Sequence, residues 1–319
     1  MNFLNTGLME KHKIQIKQEK NMYDIIVIGG GPAGLTAAIY GRRGGKSVAV
    51  IEKATFGGQI TYSPKVENIP GFASVTGNEF AEKLVDQAIE QGVVFEYCEA
   101  LEIKNGATKV VVTDSGEIEG KTVIIATGAK HRRLGLPKEE DFIGDGISFC
   151  AVCDGAFFKD KDVAVIGGGN SALQEALELS EQCKSVHVVQ NLDFLTGEAA
   201  LQTLISEKAN IKVTLGATVD SLLGDTAFEG IVINTKDGQE TLKLDGMFIA
   251  IGLVPQNEAF ASYLKLDSYG YADSGEDCMT VTDGIFVAGD CRKKKIRQVA
   301  TAAGDGAVAA LAACAYLGH

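Results

Sequence analysis

The run Cys150-Ala151-Val152-Cys153-Asp154-Gly155 sets two thiols three positions apart and a carboxyl beside the second. Sulfurs at that spacing can close a small disulfide, and one member of such a pair commonly has a depressed thiol pKa. Asp154 stands where it could hand a proton to an outgoing thiolate; its plainer reading is a turn residue before Gly155. A zinc site would need two further ligands at short spacing. Cys98, Cys183, Cys278, Cys291 and Cys314 are scattered, and His12, His131, His187 and His319 pair with nothing nearby, so no metal is expected. The five isolated cysteines read as small buried apolar residues. Cys150 and Cys153 read as a redox pair, with inert thiols as the bland alternative.

Two similar units must position that chemistry. In the first, residues 23–53, apolar Ile25–Ile28 predicts a short buried strand. Gly29, Gly31 and Gly34 follow in G-x-G-x-x-G spacing, with Leu35, Ala38 and Ile39 on the sheet-facing side of the next helix. Val48–Ile51 is the second strand, and Glu52 ends it 23 residues past Gly29. Every contextual condition of a dinucleotide turn is met: a glycine for the tight bend, one for approach of a pyrophosphate, one for helix–strand packing, and an acid for the ribose. The helix N-terminus faces the phosphates. The second unit, residues 161–190, repeats the plan with strand Val163–Ile166, then Gly167, Gly169 and Ala172. Helix Ser171–Ser180 is expected to bury Leu173, Ala176, Leu177 and Ser180, and strand Val186–Val189 follows. Its terminal acid or arginine is missing, so ligand binding there is less secure.

Further strands run into glycine at Thr122–Thr127, Met247–Ile251 and Ile285–Ala288. A strand ending at Gly289-Asp290 can aim its carboxylate at a ribityl hydroxyl, and the amides opening a helix at 298–311 can meet a phosphate. That helix would close the first unit's nucleotide site from far along the chain. The expected fold is therefore α/β, with two Rossmann-like nucleotide-binding domains, the second inserted into the first: 22–131 and 262–319 form the outer domain, and 132–261 the insert carrying the CxxC. Residues 1–21, polar and lysine-rich, read as a loose extension.

At 319 residues the chain has length for two ordinary domains with real cores. A net charge of −12 argues against nucleic-acid binding through the overall field. No apolar run is expected to reach the ~18–20 residues that span a bilayer, and no secretory h-region opens the chain, so the expected setting is cytoplasmic.

Taken together, the motifs resemble the low-molecular-weight thioredoxin reductases along about residues 22–317. The residues carrying this are GGGPAG at 29–34, GGQI at 57–60, VENIPGF at 66–72, ATG at 126–128, CAVCDG at 150–155, GGGNSA at 167–172, GIFVAGD at 284–290 and RQV at 297–299. The resemblance implies FAD held by Gly29, Gly31, Pro32, Ala33, Gly34, Glu52, Gly58, Gln59, Asn68, Ala126, Thr127, Gly128, Gly289, Asp290, Arg297, Gln298 and Val299. It implies Cys153 as the thiol nearest the flavin, Cys150 as the one that attacks a partner disulfide, and Asp154 as the acid. It also implies a homodimer, thioredoxin as substrate, and an inserted domain that rotates.

One segment departs from that family. Members using NADPH carry an HRR triplet and a further arginine, at the positions held here by Gln190, Asn191, Leu192 and Thr196. Losing several charge-assisted contacts of ~1.5–3 kcal/mol each would weaken NADPH by orders of magnitude. The chain is therefore most similar to the ferredoxin-dependent flavin thioredoxin reductases, which keep FAD and the CxxC but lack those arginines. Arg292, Lys293, Lys294, Lys295 and Arg297, with further cations at 42–43 and 130–133, would offer a docking patch for an acidic carrier; the alternative is a solvated basic loop. NADH, or another donor such as a second flavin, is the second reading, and a non-enzymatic redox-sensing flavoprotein the third.

Overall fold

The computed structural model describes residues 22–63 and 65–318. The expected extension at 1–21, with His12, and the terminal His319 lie outside the described residues. The chain divides into two compact units, 22–130 with 254–318, and 131–253.

Unit 1 begins with β1 (Tyr23–Ile28), whose Ile25, Ile26 and Val27 are fully buried, as suits a strand covered on both faces. The chain turns into α1 (Pro32–Arg43), opened by proline, where a missing N–H costs nothing, and closed by Arg42 and Arg43 at its negative end. Leu35, Ala38 and Ile39 are buried, as their spacing requires. β2 (Val48–Glu52) follows, then α2 (Gly77–Glu90), started by a reciprocal capping box between Thr76 and Glu79. β3 (Val94–Tyr97) leads to the antiparallel run β4 (Ala100–Lys104), β5 (Lys109–Thr113) and β6 (Gly116–Ile125). The strand order is β3-β2-β1-β6-β5-β4, with β1 parallel to both β2 and β6. The chain leaves the unit through β7 (Ala129–His131).

Unit 2 holds the short helix α3 (Glu139–Phe142), β8 (Ile147–Ser148) and the one-turn helix α4 (Ala151–Asp154). Next come β9 (Asp162–Ile166), α5 (Asn170–Ser180), β10 (Ser185–Val189), α6 (Ala199–Glu207) and β11 (Ile211–Thr214). Its parallel sheet has the order β11-β10-β9-β15-β8, where β15 is Gly246–Ile249. A separate antiparallel sheet joins β12 (Thr218–Leu223), β13 (Gly230–Thr235) and β14 (Gly238–Lys243). On α5 the buried side chains are Leu173, Ala176, Leu179 and Ser180. Leu177 is only half-buried, so Leu179 takes the place expected for it.

The chain returns through β16 (Leu253–Pro255), which pairs with β7. The second crossing falls at 253/254 rather than 261/262. Phe260 and Leu264 pack in the unit 1 core with Ile26 and Ile285, and buried Asn257 donates to Gly270 O and Cys291 O. β17 (Ile285–Val287) then joins β6 in parallel, and α7 (Val299–Leu317) packs on α1. The two helices meet so closely that a Cβ at Gly306 would lie 2.1 Å from Ala33 O.

Helix α7 corrects the expectation that no segment reaches spanning length and apolarity. Its 19 residues carry one charged side chain, Asp305. Alanine supplies the apolarity, and Ala302, Ala309, Ala310 and Ala313 are buried within unit 1.

Candidate active site

The redox turn belongs wholly to unit 2. Strand β8 ends one residue before Phe149, and Cys150 adopts extended backbone as the cap of α4. Cys150 and Cys153 are joined as a disulfide with their Cα atoms 5.3 Å apart. The Cys153 amide donates to Cys150 Sγ at 3.2 Å and to Cys150 O at 3.2 Å, and the Asp154 amide donates to Cys150 O at 3.0 Å. Both cysteines are half-buried, while Val152 between them is 64% exposed. The pair thus presents one edge outward.

Asp154 is the acid of this turn. Its Oδ2 accepts from the Ser148 hydroxyl at 2.6 Å, and its Oδ1 is buried with no hydrogen-bond partner among the described residues. Burial pushes its pKa up, partly offset by the Ser148 hydroxyl, so it holds a proton to higher pH than an ordinary aspartate. Neither histidine of unit 2 competes for that role. His131 stacks on Phe149, and burial with the nearby Arg133 charge pulls it down to about 4. His187 bonds Thr214 and is held, mainly by burial, at about 4. Both are neutral near pH 7.

The nucleotide turn belongs to unit 1. Gly29 donates to Ile51 O at 2.8 Å with φ +111°, and a Cβ there would lie 2.3 Å from Ala126 O. A Cβ at Gly34 would lie 1.8 Å from Gly29 O, so helix and strand touch through glycine alone. At Gly31 the same Cβ would meet no protein atom nearer than 3.9 Å: that face of the turn is open. Glu52 accepts the Gly30 amide at 2.8 Å and the Ala54 amide at 2.7 Å, one on each carboxylate oxygen. Gly58 closes over Gly31, and Gln59 Nε2 donates to Ala129 O. Thr127 sits beside the Cys291 thiol, and Gly128 has φ +70°.

The far end of the chain completes this frame. Gly289, at φ +81°, has no room for a side chain against Ala33 on α1, next to Pro32. Asp290 Oδ1 is buried and pairs with Lys294 Nζ at 3.3 Å. Arg297 lies over the Tyr271 ring at 4.1 Å and donates to Asp290 O and Arg292 O. Gln298 caps α7 and accepts from Asn68 Nδ2 at 3.1 Å, and Val299 packs with Val66, Val75 and Phe80. Several of the residues expected around one nucleotide are thus joined pairwise within unit 1: Gly58 with Gly31, Gly289 with Ala33, Arg297 with Asp290, and Gln298 with Asn68.

Unit 2 repeats the backbone of that turn bond for bond. Gly167 donates to Val189 O at 2.9 Å, Leu173 to Gly169 O at 3.0 Å and Ala250 to Ile166 O at 2.9 Å, as Gly29, Leu35 and Ala126 do in unit 1. The difference is at the strand end. Where Glu52 stands in unit 1, unit 2 has the buried amide of Gln190, which accepts from Asn191 N and donates to Phe194 O. Glu198 is tied to Asn170, the first residue of α5, by hydrogen bonds of 2.7 and 3.0 Å.

The basic run 292–297 is not the free patch its charges suggest. Arg292 is 7% exposed and pairs with Asp305 at 2.7 Å; Lys294 pairs with Asp290 and with Asp305 at 3.1 Å. Asp305, 13 residues past Arg292 and on another element, draws both inward, while Arg297 lies on Tyr271. Lys293 pairs with Asp273 at 3.6 Å, leaving Lys295 as the exposed cation of the run with no ion pair among the described residues. Among the described residues no cluster of His, Cys, Asp and Glu could hold a metal.

The sequence pattern of one family, pyridine nucleotide-disulphide oxidoreductase, matches residues 23–306. The chain belongs to this family. Within it, the chain is 39% identical over 303 residues to thioredoxin reductase of Listeria monocytogenes, covering 94% of this chain and 95% of that one. It is also 39% identical to a 34.2 kDa protein in the rubredoxin operon of Clostridium pasteurianum, covering 95% and 99%. The crystal structure of thioredoxin reductase from Streptococcus pyogenes superposes with a TM-score of 0.89 at 39% identity, covering 94% and 99%. That of Giardia duodenalis superposes with a TM-score of 0.86 at 32% identity, covering 93% and 99%. The chain is therefore a thioredoxin reductase homologue, an oxidoreductase of α/β fold with Rossmann-like sheets, and the reading as a non-enzymatic scaffold falls away.

This oxidoreductase family is FAD-dependent, and unit 1 fits the cofactor. The open face at Gly31 leaves room that any side chain would fill, and Asp290 offers a buried carboxylate whose Oδ1, among the described residues, is met by the Lys294 ammonium at 3.3 Å. Replacing Glu52 by Gln tests the frame. The amide nitrogen cannot accept, so Gly30 N–H or Ala54 N–H loses its partner. FAD affinity is expected to fall about 10- to 100-fold, the worth of one hydrogen bond to a charged group, measured by fluorescence titration of apoprotein.

Proposed function

We propose that this protein reduces the disulfide of thioredoxin through Cys150 and Cys153, with electrons from reduced ferredoxin rather than NADPH. One observation carries the donor assignment. Segment 190–198 brings amides and the Glu198 carboxylate to the start of α5, and no cation. A phosphate there would meet like charge instead of an arginine fork. The relative named for a rubredoxin operon supports a one-electron iron carrier as the kind of donor. Docking cannot rest on the whole 292–297 run, since Arg292 and Lys294 are neutralised from within; Lys293 and Lys295 remain on its surface. We further take the protein to act as a homodimer in the cytoplasm, where its buried free thiols at Cys98, Cys183, Cys278 and Cys291 suit a reducing setting.

Cys150 thiolate attacks the partner disulfide, forming a mixed disulfide and expelling one partner thiolate, which takes a proton. Cys153 then attacks Cys150 Sγ, closing the intramolecular disulfide and releasing the second partner thiolate. Re-opening Cys150–Cys153 consumes two electrons and two protons, and Asp154 supplies a proton to the leaving thiolate. When bound, FAD supplies the transfer of an electron pair to this disulfide and can be filled by single electrons.

Under anaerobic conditions, reduced ferredoxin is expected to drive thiol formation on thioredoxin, while neither NADPH nor NADH bleaches the flavin. Rapid bleaching by NADPH overturns the reading. Bleaching by NADH alone selects the second reading, which the retained backbone turn at Gly167–Gly169 favours.

A further inference from the structure

The redox turn contains a fourth functional side chain. Ser148 lies on β8, two residues before Cys150, and is 5% exposed. Its hydroxyl donates to Asp154 Oδ2 at 2.6 Å and accepts the Cys150 amide at 3.2 Å. One side chain therefore ties the residue that leads into the disulfide to the carboxyl that follows it. The arrangement is directional. The hydroxyl has one proton, and it is spent on Oδ2. Asp154 Oδ1, buried and without a partner among the described residues, is the oxygen left to bear the carboxyl proton.

We propose that Ser148 is a positioning residue of the disulfide chemistry: it makes the two oxygens of Asp154 unequal, so that Oδ1 delivers the proton to the leaving thiolate, and it steadies the carboxylate left behind. The proton passes from Oδ1 to sulfur, the Ser148 proton stays on its oxygen, and solvent later returns the proton to Asp154. This rests on the reading of Asp154 as the acid.

Burial raises the Asp154 pKa and the Ser148 hydroxyl lowers it. Of the unit 2 elements packed against α4, the turn at 155–158 has no ionisable side chain, and α5 carries Glu175 and Glu178, neither of which shifts Asp154. Removing the hydroxyl destabilises the carboxylate form, so the Asp154 pKa rises and the pH limb at which the acid is lost moves upward.

The test opens the Cys150–Cys153 disulfide of the holoenzyme with dithiothreitol and follows free thiols across pH. Dithiothreitol titrates identically for every variant, so differences belong to the protein. Asp154→Asn is expected to slow opening about a hundredfold, the low end for general acid catalysis. Ser148→Ala is expected to slow it about tenfold with an upward shift of the limb, the share of a hydrogen bond to a charged group, while the protein stays folded and flavin-loaded at the assay temperature. Ser148→Thr, which keeps the hydroxyl, restores the limb. Ser148→Ala in the Asp154→Asn background adds nothing further. If Asp154→Asn slows opening but Ser148→Ala multiplies with it, or leaves the limb in place, the positioning role is wrong. If Asp154→Asn itself leaves the rate unchanged, the acid reading has failed and the role of Ser148 falls with it.

Discussion

Cys150→Ser and Cys153→Ser are each expected to lower disulfide turnover by more than about a thousandfold, because each removes one partner of a two-step exchange that neither thiol completes alone. Total loss does not separate the two roles; the intermediate does. Cys150 Sγ accepts the Cys153 amide, a hydrogen bond that steadies negative charge on that sulfur and suits it to attack outward. With Cys153→Ser the mixed disulfide between Cys150 and the partner has no resolving thiol and accumulates. With Cys150→Ser it does not form. Non-reducing gel electrophoresis and mass spectrometry after mixing the pre-reduced variants with oxidised thioredoxin read this directly. A covalent adduct only in Cys150→Ser would exchange the two assignments, and turnover retained in either variant would remove the redox pair.

Gly34→Ala is expected to abolish FAD binding and to cost at least about 3 kcal/mol of stability, the upper range for forcing atoms into a packed core. The added Cβ would sit 1.8 Å from Gly29 O, a backbone atom of the very turn that admits the cofactor. Gly29 cannot retreat, since its own missing Cβ already faces Ala126 O. Gly31→Ala gives the contrasting result. No protein atom lies nearer than 3.9 Å to that Cβ, so the fold and the unfolding temperature should survive while FAD affinity falls. Visible flavin absorbance of the purified variants, set beside thermal unfolding, distinguishes the two. A Gly31→Ala protein that binds FAD normally would mean that the open face does not receive the cofactor.

The two turns and the thiol pair were legible because their information is local. A glycine at a bend, a strand on one side and a helix on the other fix one another within about thirty residues. The fate of the 292–297 cations was not legible, because it depends on Asp305 arriving from the following helix; a count of charges carries no direction. Ser148 was equally hidden. Serine is common and has no spacing signature, and only the fold of β8 into α4 shows that its hydroxyl reaches Asp154. Helix α7 was underestimated because alanine contributes little apolarity per residue and only the length of the run reveals it. The departure at 190–192 was visible as missing arginines, but that Gln190 is buried and bonded to its own loop needed the structure.

The packing of α7 on α1 and of β17 on β6 has a consequence for how the chain is made. Helix α7, which packs on the first helix, and β17, the third partner of β6, are synthesised only after the whole of unit 2. At roughly 5–20 residues per second, the opening strands wait on the order of ten seconds or more for the segments that cover them. Unit 2, whose sheet is complete between residues 131 and 253, can fold during that interval. The inserted unit is thus free to mature first, with its thiols already presented, while the outer unit has six of its seven strands but lacks β17 and the helix that covers α1 until the distant segment emerges.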